Sequence, residues 1–197
     1  MSYRINEIFY SLQGEGRHTG RAAVFIRFSG CNLRCPFCDT DFSHYTEMSL
    51  EELIRAIRPW HDCGFVILTG GEPSLQVDEA LVEALHREGY FVAMETNGTH
   101  DVPKTIDWVT VSPKSSFVEH APAIVVAKID EVKVIFDGEH DPQPFSLLGQ
   151  EPYLCLQPCD TGDARRNQDI TRQCVEHILQ HPEWHLSLQT HKWLDIK

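Results

Sequence analysis

Along this chain, each apolar, β-prone run leads directly into an unusual polar segment. That order restricts the fold more than any other feature of the sequence. Ala22–Phe28 (AAVFIRF) leads into SGCNLRC, residues 65–68 into TGGEP, 90–94 into ETNGT and Trp108–Val111 into SPK. Residues 153–156 lead into QPCD and 185–189 run into QTHK, while 132–136 form a further strand candidate. Helical periodicity separates several of these runs. Residues 48–58 place Leu50, Leu53, Ile54 and Ile57 on one stripe, with Ser49 and Glu52 at capping-box spacing. Val77, Leu81, Val82 and Leu85 give a second helix its apolar face, with Gly89 as its stop, and 169–180 form a third. Residues 137–151, rich in Pro, Gly and Asp, read as a loop. Strands interleaved with helices predict an α/β fold on a mainly parallel sheet. Ligands in such folds bind at the carboxyl ends of the strands, so the polar segments are expected to converge on one rim.

A length of 197 residues fits a single domain spanning 1–197, and 42% hydrophobic with 23% charged residues is ordinary globular composition. Lys and Arg number 17 against 29 Asp and Glu, a formal charge of −12. That balance argues against a grip on nucleic acid by bulk charge, although a local basic pocket for a small anion remains open. No apolar run approaches the ~20 residues of a membrane-spanning helix, and MSYRINEIFYSLQGEG lacks the pattern of a secretory leader. The expectation is a cytoplasmic protein with no nucleic-acid or membrane partner.

Seven cysteines are present, and three of them form the run Cys31-Asn-Leu-Arg-Cys35-Pro-Phe-Cys38. Without a secretory pattern, clustered cysteines read as metal or redox chemistry rather than as disulfides. Structural zinc normally takes four ligands, usually in two separated pairs, and no second pair is obvious here. An ordinary 4Fe–4S cluster also takes four cysteines. Three would leave one iron open for chemistry. Reduced structural thiols and a zinc-binding module stay as the plainer alternatives. Of the other cysteines, Cys174 falls on an apolar helix stripe and reads as core, Cys155 lies within a strand, and Cys159 belongs to the rim.

The C-x3-C-x2-C run, continued by Phe37, Cys38, Asp39 and Thr40, resembles the radical S-adenosylmethionine superfamily. Gly70-Gly71-Glu72-Pro73 looks like the second signature of that superfamily, which holds the methionine amino group of the cofactor. Ser11-Leu12-Gln13-Gly14-Glu15-Gly16, Arg27 and Gln189-Thr190-His191-Lys192 narrow the match to the 7-carboxy-7-deazaguanine synthase (QueE) family, from residue 5 to the C-terminus. The resemblance implies a truncated, modified (β/α) partial barrel and a homodimer. It implies ring contraction of 6-carboxy-5,6,7,8-tetrahydropterin to 7-carboxy-7-deazaguanine with loss of ammonia. It also implies a 4Fe–4S cluster, S-adenosylmethionine, magnesium and a flavodoxin-like electron donor. A glycyl-radical activase sharing the cluster spacing is the rival within the superfamily.

Roles carry over residue by residue. Cys31, Cys35 and Cys38 would ligate the cluster, and Thr40 would offer its hydroxyl to magnesium. Phe37, Cys38, Asp39, Gly71, Ser112, Pro113, Lys114 and Gln157 would line the cofactor site. Leu12, Gln13, Gly14, Glu15, Arg27, Thr69, His191 and Lys197 would surround the pterin. No catalytic side chain is expected beyond the cluster and cofactor. Arg27 suits a carboxylate because a guanidinium gives a planar two-point grip, although its strand would let it point outward instead. Glu95 and Asn97 suit either a ribose contact or a turn. The ending Leu194-Asp195-Ile196-Lys197 departs from the family, where a glycine and a less charged end are expected.

Overall fold

The computed structural model describes residues 2–38, 40–41 and 44–197. Among the described residues, nine strands form one sheet in the order β3-β1-β2-β4-β5-β6-β7-β8-β9. They are β1 (Ser2–Leu12), β2 (Ala22–Phe28), β3 (Thr46–Ser49), β4 (Phe65–Gly70), β5 (Phe91–Thr96), β6 (Trp108–Val111), β7 (Glu131–Phe136), β8 (Tyr153–Pro158) and β9 (Trp184–Leu186). From β2 through β9 every neighbouring pair is parallel, whereas β1 runs antiparallel to both β2 and β3. The terminal strands β3 and β9 do not pair, so the sheet is an unclosed partial barrel.

The α-helices of the described residues are α1 (Leu50–Ile57), α2 (Glu79–Arg87), α3 (Ala164–Gln180) and α4 (Thr190–Leu194). The predicted capping box is present. Glu52 N–H donates to Ser49 Oγ at 3.2 Å, and Ser49 N–H donates back to the Glu52 carboxylate at 2.8 Å. The helix itself starts at Leu50, because Met48 and Ser49 pair with Tyr3 and Ser2 as the end of β3. The third helix starts five residues earlier than expected, at Ala164, because Asp163 caps it by accepting from the N–H groups of Arg165 and Arg166. The last strand is Trp184–Leu186 rather than 185–189, since Gln189 already caps α4. Strand–helix alternation is incomplete: no α-helix lies between β5 and β6 or between β6 and β7.

The period of two along each strand separates two environments. Outward residues such as Val24, Ile26 and Phe28 on β2, Val66 and Leu68 on β4, and Val92 and Met94 on β5 pack beneath α1 and α2. Val132, Val134, Leu154 and Leu156 pack with Ile170 and Cys174 of α3, which confirms the core reading of that cysteine. Inward residues Ala23, Phe25, Phe65, Ile67 and Ala93 form a separate apolar plug. Burying so many apolar side chains, each worth roughly 1.5–3 kcal/mol, gives the scaffold its stiffness. Above the plug, continuing along the same inward rows, stand Arg27, Thr69, Glu95 and Lys133. These polar groups gather toward the carboxyl ends of β2, β4 and β5, with Lys133 of β7 beside them.

Candidate active site

At that end opens a cavity of about 390 Å³, within the usual range for small-molecule sites. Cys31, Cys35, Cys38, Phe37, Thr40, Gly71, Ser112, Lys114 and Gln157 all line it. A smaller cavity of about 150 Å³ adjoins it, lined by Leu12, Gln13, Gly14, His191 and Lys197. Glu15, Arg27, Thr69, Glu95 and Gln189 line both. The candidate residues thus sort into two adjoining chambers that meet at a shared wall. Pro113 is the exception: it lines a separate cavity with Leu33 and Asn97 rather than the central one. Asp39 lies outside the described residues.

Close backbone packing positions the cysteine loop. Gly71 N–H donates to the carbonyl of Phe28 and Glu72 N–H to that of Gly30, at 3.1 and 2.9 Å. A side chain at Gly71 would overlap the Gly30 carbonyl, so glycine is needed there for contact with the loop preceding Cys31. Gly70 has φ +128, and a side chain there would strike the backbone of Phe28. Glu72 is fully buried and turned away from the cavity. Its Oε1 accepts from Ser74 N–H, Ser74 Oγ and Thr96 Oγ1, and its Oε2 from Asn97 N–H at 2.7 Å. The glutamate of the GGEP segment is therefore a brace that ties the end of β4 to the end of β5. Asn97 continues the brace by donating to Asn32 at 3.0 Å, and Asn32 donates to Thr99 at 2.9 Å. Glu95 and Asn97 both line the cavity, and Asn97 Oδ1 in addition accepts from Thr99 N–H at 3.0 Å in the turn after β5.

The three thiols fit an iron–sulfur cluster. They share one chamber, and all are free of disulfides. Among the described residues, no three His, Cys, Asp or Glu side chains gather around a point that could hold a single ion. Three cysteines would hold three irons of a 4Fe–4S cluster, whereas structural zinc normally takes four protein ligands. Burial raises the Cys31 and Cys35 thiols above their ordinary range, and coordination would reverse this, since a metal-bound thiol is deprotonated. Phe37 packs edge-on against Phe117 with ring centroids 4.8 Å apart, walling the chamber. Lys114 donates to the Ser112 carbonyl and hydroxyl at 2.8 and 2.6 Å. Burial lowers its ammonium to about 8, against the opposing pull of Cys35, Glu72 and Glu95. Gln157 accepts from Ser187 Oγ at 2.9 Å.

At the shared wall stands a residue the sequence reading passed over. Lys133, on β7, is 4% exposed. Its Nζ lies 2.7 Å from Glu15 and 2.5 Å from Glu95. Glu15 Oε1 also accepts from Gln189, and Glu95 Oε1 from Gln13, both at 2.9 Å. Burial alone would raise Glu15 and lower Lys133, but their mutual attraction holds Glu15 well below the usual carboxylate range and Lys133 above that of an ordinary lysine. Arg27 points inward, with its Nε 3.0 Å from Glu7 Oε1. A lysine within the run EVKVIF carried a signal. In a strand with alternate residues buried, an inward cation needs partners, and partners collect where function is.

The C-terminal segment closes the open seam. Thr190 N–H and Oγ1 both donate to the Gly14 carbonyl at 3.0 Å. Ser11 Oγ donates to the Lys197 carbonyl at 2.6 Å, and Lys197 Nζ reaches Glu7 Oε2 at 2.8 Å. The charged chain end, a departure from the family expectation, thus has an acidic partner on β1.

Known proteins share this arrangement. Residues 25–137 match the family described as the Radical SAM superfamily. A 7-carboxy-7-deazaguanine synthase from Bacteroides thetaiotaomicron is 49% identical over the whole of both chains. One from Bordetella pertussis is 44% identical, again over the whole of both. The crystal structure of QueE from Escherichia coli superposes with a TM-score of 0.80 at 30% identity, covering 95% of this chain and 94% of that one. With three cysteines on one chamber, a GG turn packed against their loop and full-length relatives at this identity, the chain belongs to the 7-carboxy-7-deazaguanine synthase family of the radical S-adenosylmethionine superfamily.

Proposed function

We propose that the two adjoining chambers carry out ring contraction of 6-carboxy-5,6,7,8-tetrahydropterin to 7-carboxy-7-deazaguanine, with release of ammonia. One observation carries the reading. The chamber holding the three cysteines and the chamber behind Arg27 share Glu15, Arg27, Thr69 and Glu95 as a common wall. A substrate seated in the second is therefore held against a cofactor seated in the first. Family membership brings a 4Fe–4S cluster, S-adenosylmethionine and magnesium. When bound, they supply a carbon-centred radical that exchanges hydrogen with the substrate.

The chain's own residues bind and orient. Cys31, Cys35 and Cys38 would hold the cluster, three ligands that would leave one iron for the cofactor. Gly71, Ser112, Lys114, Phe37 and Gln157 shape the chamber around it. Thr40 offers a hard oxygen for magnesium. Arg27 spends its Nε on Glu7, which leaves the terminal nitrogens for the substrate carboxylate. Gln13, Gly14, Thr69, His191 and Lys197 close around the ring, and Leu12 borders it.

The continuous sheet supports treating 1–197 as one radical S-adenosylmethionine domain. No helix among the described residues is long and apolar enough to cross a membrane. Family resemblance supports a homodimer, a flavodoxin-like electron donor and a cytoplasmic setting, and the free thiols agree with the last of these.

Anaerobic reconstitution with iron and sulfide, followed by reduction and incubation with S-adenosylmethionine, magnesium and the pterin, tests the proposal. Mass spectrometry is expected to find 7-carboxy-7-deazaguanine, and Cys35→Ala to abolish it. Formation of 5′-deoxyadenosine without that product would reject the pterin as substrate.

A further inference from the structure

Two carboxylates and one ammonium form a closed circuit at the wall between the chambers. Lys133 comes from β7, Glu95 from β5 and Glu15 from the loop after β1. Gln13 and Gln189 complete the ring, and Glu15 N–H returns to Gln13 Oε1 at 3.3 Å. The circuit carries a net negative charge. Arg27, on the same wall, carries the opposite sign. The wall shared by the two chambers therefore carries both a cation and a net-negative circuit, each built from side chains with fixed partners.

Every oxygen of Glu15 and Glu95 accepts one bond within the ring, and each retains a lone pair for a further donor. Two carboxylates held on one ammonium repel each other, and without that cation their repulsion would favour uptake of a proton. A protonated carboxyl donates where an acceptor is needed. Lys133, between them, removes that conflict.

We propose that Lys133 is a positioning residue that presents Glu15 and Glu95 as a paired acceptor for the N–H edge of the substrate's amino-pyrimidine ring. The proposal rests on the pterin reading above. It orients the substrate, with its carboxylate at Arg27 and its amino-pyrimidine edge at the Glu15–Glu95 pair. The charged and titratable groups facing Lys133 are Glu15, Glu95, Glu131, Lys114 and Cys155, and His191 faces Glu15. None of the others lies within hydrogen-bond distance of Nζ among the described residues.

The test uses the reconstituted holoenzyme and equilibrium binding of 6-carboxytetrahydropterin, alongside KM, from pH 6.5 to 9. Lys133→Met is expected to weaken binding at least tenfold at pH 7 and to recover affinity as pH rises and the pair loses its shared proton. Lys133→Arg keeps the cation and is expected to stay within a few-fold of the wild type, with the wild-type pH profile. If Lys133→Met fails to fold, Glu95→Gln takes its place. It keeps the volume and the Lys133–Glu15 pair, and it is expected to lose about tenfold in affinity. Wild-type-like affinity with an unchanged pH profile in Lys133→Met, or wild-type affinity in Glu95→Gln, overturns the proposal. Wild-type enzyme that does not bind the pterin instead overturns the functional reading beneath it.

Discussion

Glu7 and Arg27 face each other across the antiparallel ladder of β1 and β2, joined through the side-on Nε of the guanidinium at 3.0 Å. That contact fixes the plane of the guanidinium without using its two-pronged end. Lys197 takes the second oxygen of Glu7 at 2.8 Å, so the glutamate serves the arginine without adding unbalanced charge to the chamber. Glu7→Gln should raise the KM for the pterin by about three- to tenfold, on the order of one hydrogen bond of orientation. Arg27→Lys should cost more, roughly a hundredfold, because an ammonium cannot make the two-point contact. Lys197→Met, at an exposed pair, should change KM by less than about threefold. Steady-state kinetics on the three variants give the ranking.

Glu72 makes a prediction of a different kind. It accepts four hydrogen bonds from Ser74, Thr96 and Asn97 while fully buried. Glu72→Gln would set an amide donor against at least one of those donors. The cost should be about 2–4 kcal/mol, which for a domain of this size lowers Tm by roughly 5–15 °C. Thermal unfolding followed by circular dichroism measures it. Glu72→Gln with an unchanged Tm would show that the brace is dispensable.

These two residues also show what the sequence makes legible. The strand rows, the order of polar segments and the cysteine loop were readable because period and spacing are local properties. Arg27 was readable as a cation in an apolar strand. Its partner Glu7 was not, because β1 was absent from the expected strands, although Tyr3 and Ile5 are buried and alternate with the exposed Ser2 and Arg4. Lys133 shares that fate. Its partners Glu15 and Glu95 lie 118 and 38 residues away, and only strand order brings them together. The GGEP motif marks Glu72 as part of a cofactor signature, and its role as a brace turned away from the cavity depends on a side-chain direction that a motif does not carry. Pro113 shares the SPK segment with Ser112 and Lys114, yet it lines only the neighbouring cavity and not the central one, because adjacent residues on an extended chain point apart.

Glu131 sets a pH dependence on stability. Its Oε2 accepts from Arg17 N–H at 3.2 Å, whereas its Oε1 is buried without an aligned partner, as is Trp108 Nε1. Burial drives the carboxyl up to about 7, with Glu95 adding to the rise and Lys133, Arg17 and Trp108 opposing it. A raised carboxyl binds its proton more tightly in the folded state than in the unfolded one. Its contribution is therefore full below the ordinary glutamate range and is lost as pH rises through about 7. Glu131→Gln should remove that slope, so the variant gains on the wild type by roughly 2 kcal/mol between pH 5 and 8. Parallel denaturant titrations at the two pH values check this, and equal slopes for both proteins would show that Glu131 is not the titrating group.

The last prediction concerns the segment that closes the seam. A side chain at Gly14 would overlap the Nδ1 of His191, while the Gly14 carbonyl accepts both bonds from Thr190. Gly14→Ala should push α4 outward, loosen the bond from Gln189 to Glu15 and open the substrate chamber. KM for the pterin should rise at least tenfold, since closure around the ring is lost. Iron content per chain should stay at the wild-type level, because the cysteine loop lies on the other chamber. Removing the overlapped ring tests the cause. His191→Ala leaves space for the new methyl group, so adding Gly14→Ala to it should cost little beyond His191→Ala alone, a non-additivity expected only of residues in contact. Fully additive losses in the double variant would place the effect of Gly14 in the loop backbone rather than in its fit against the C-terminal helix.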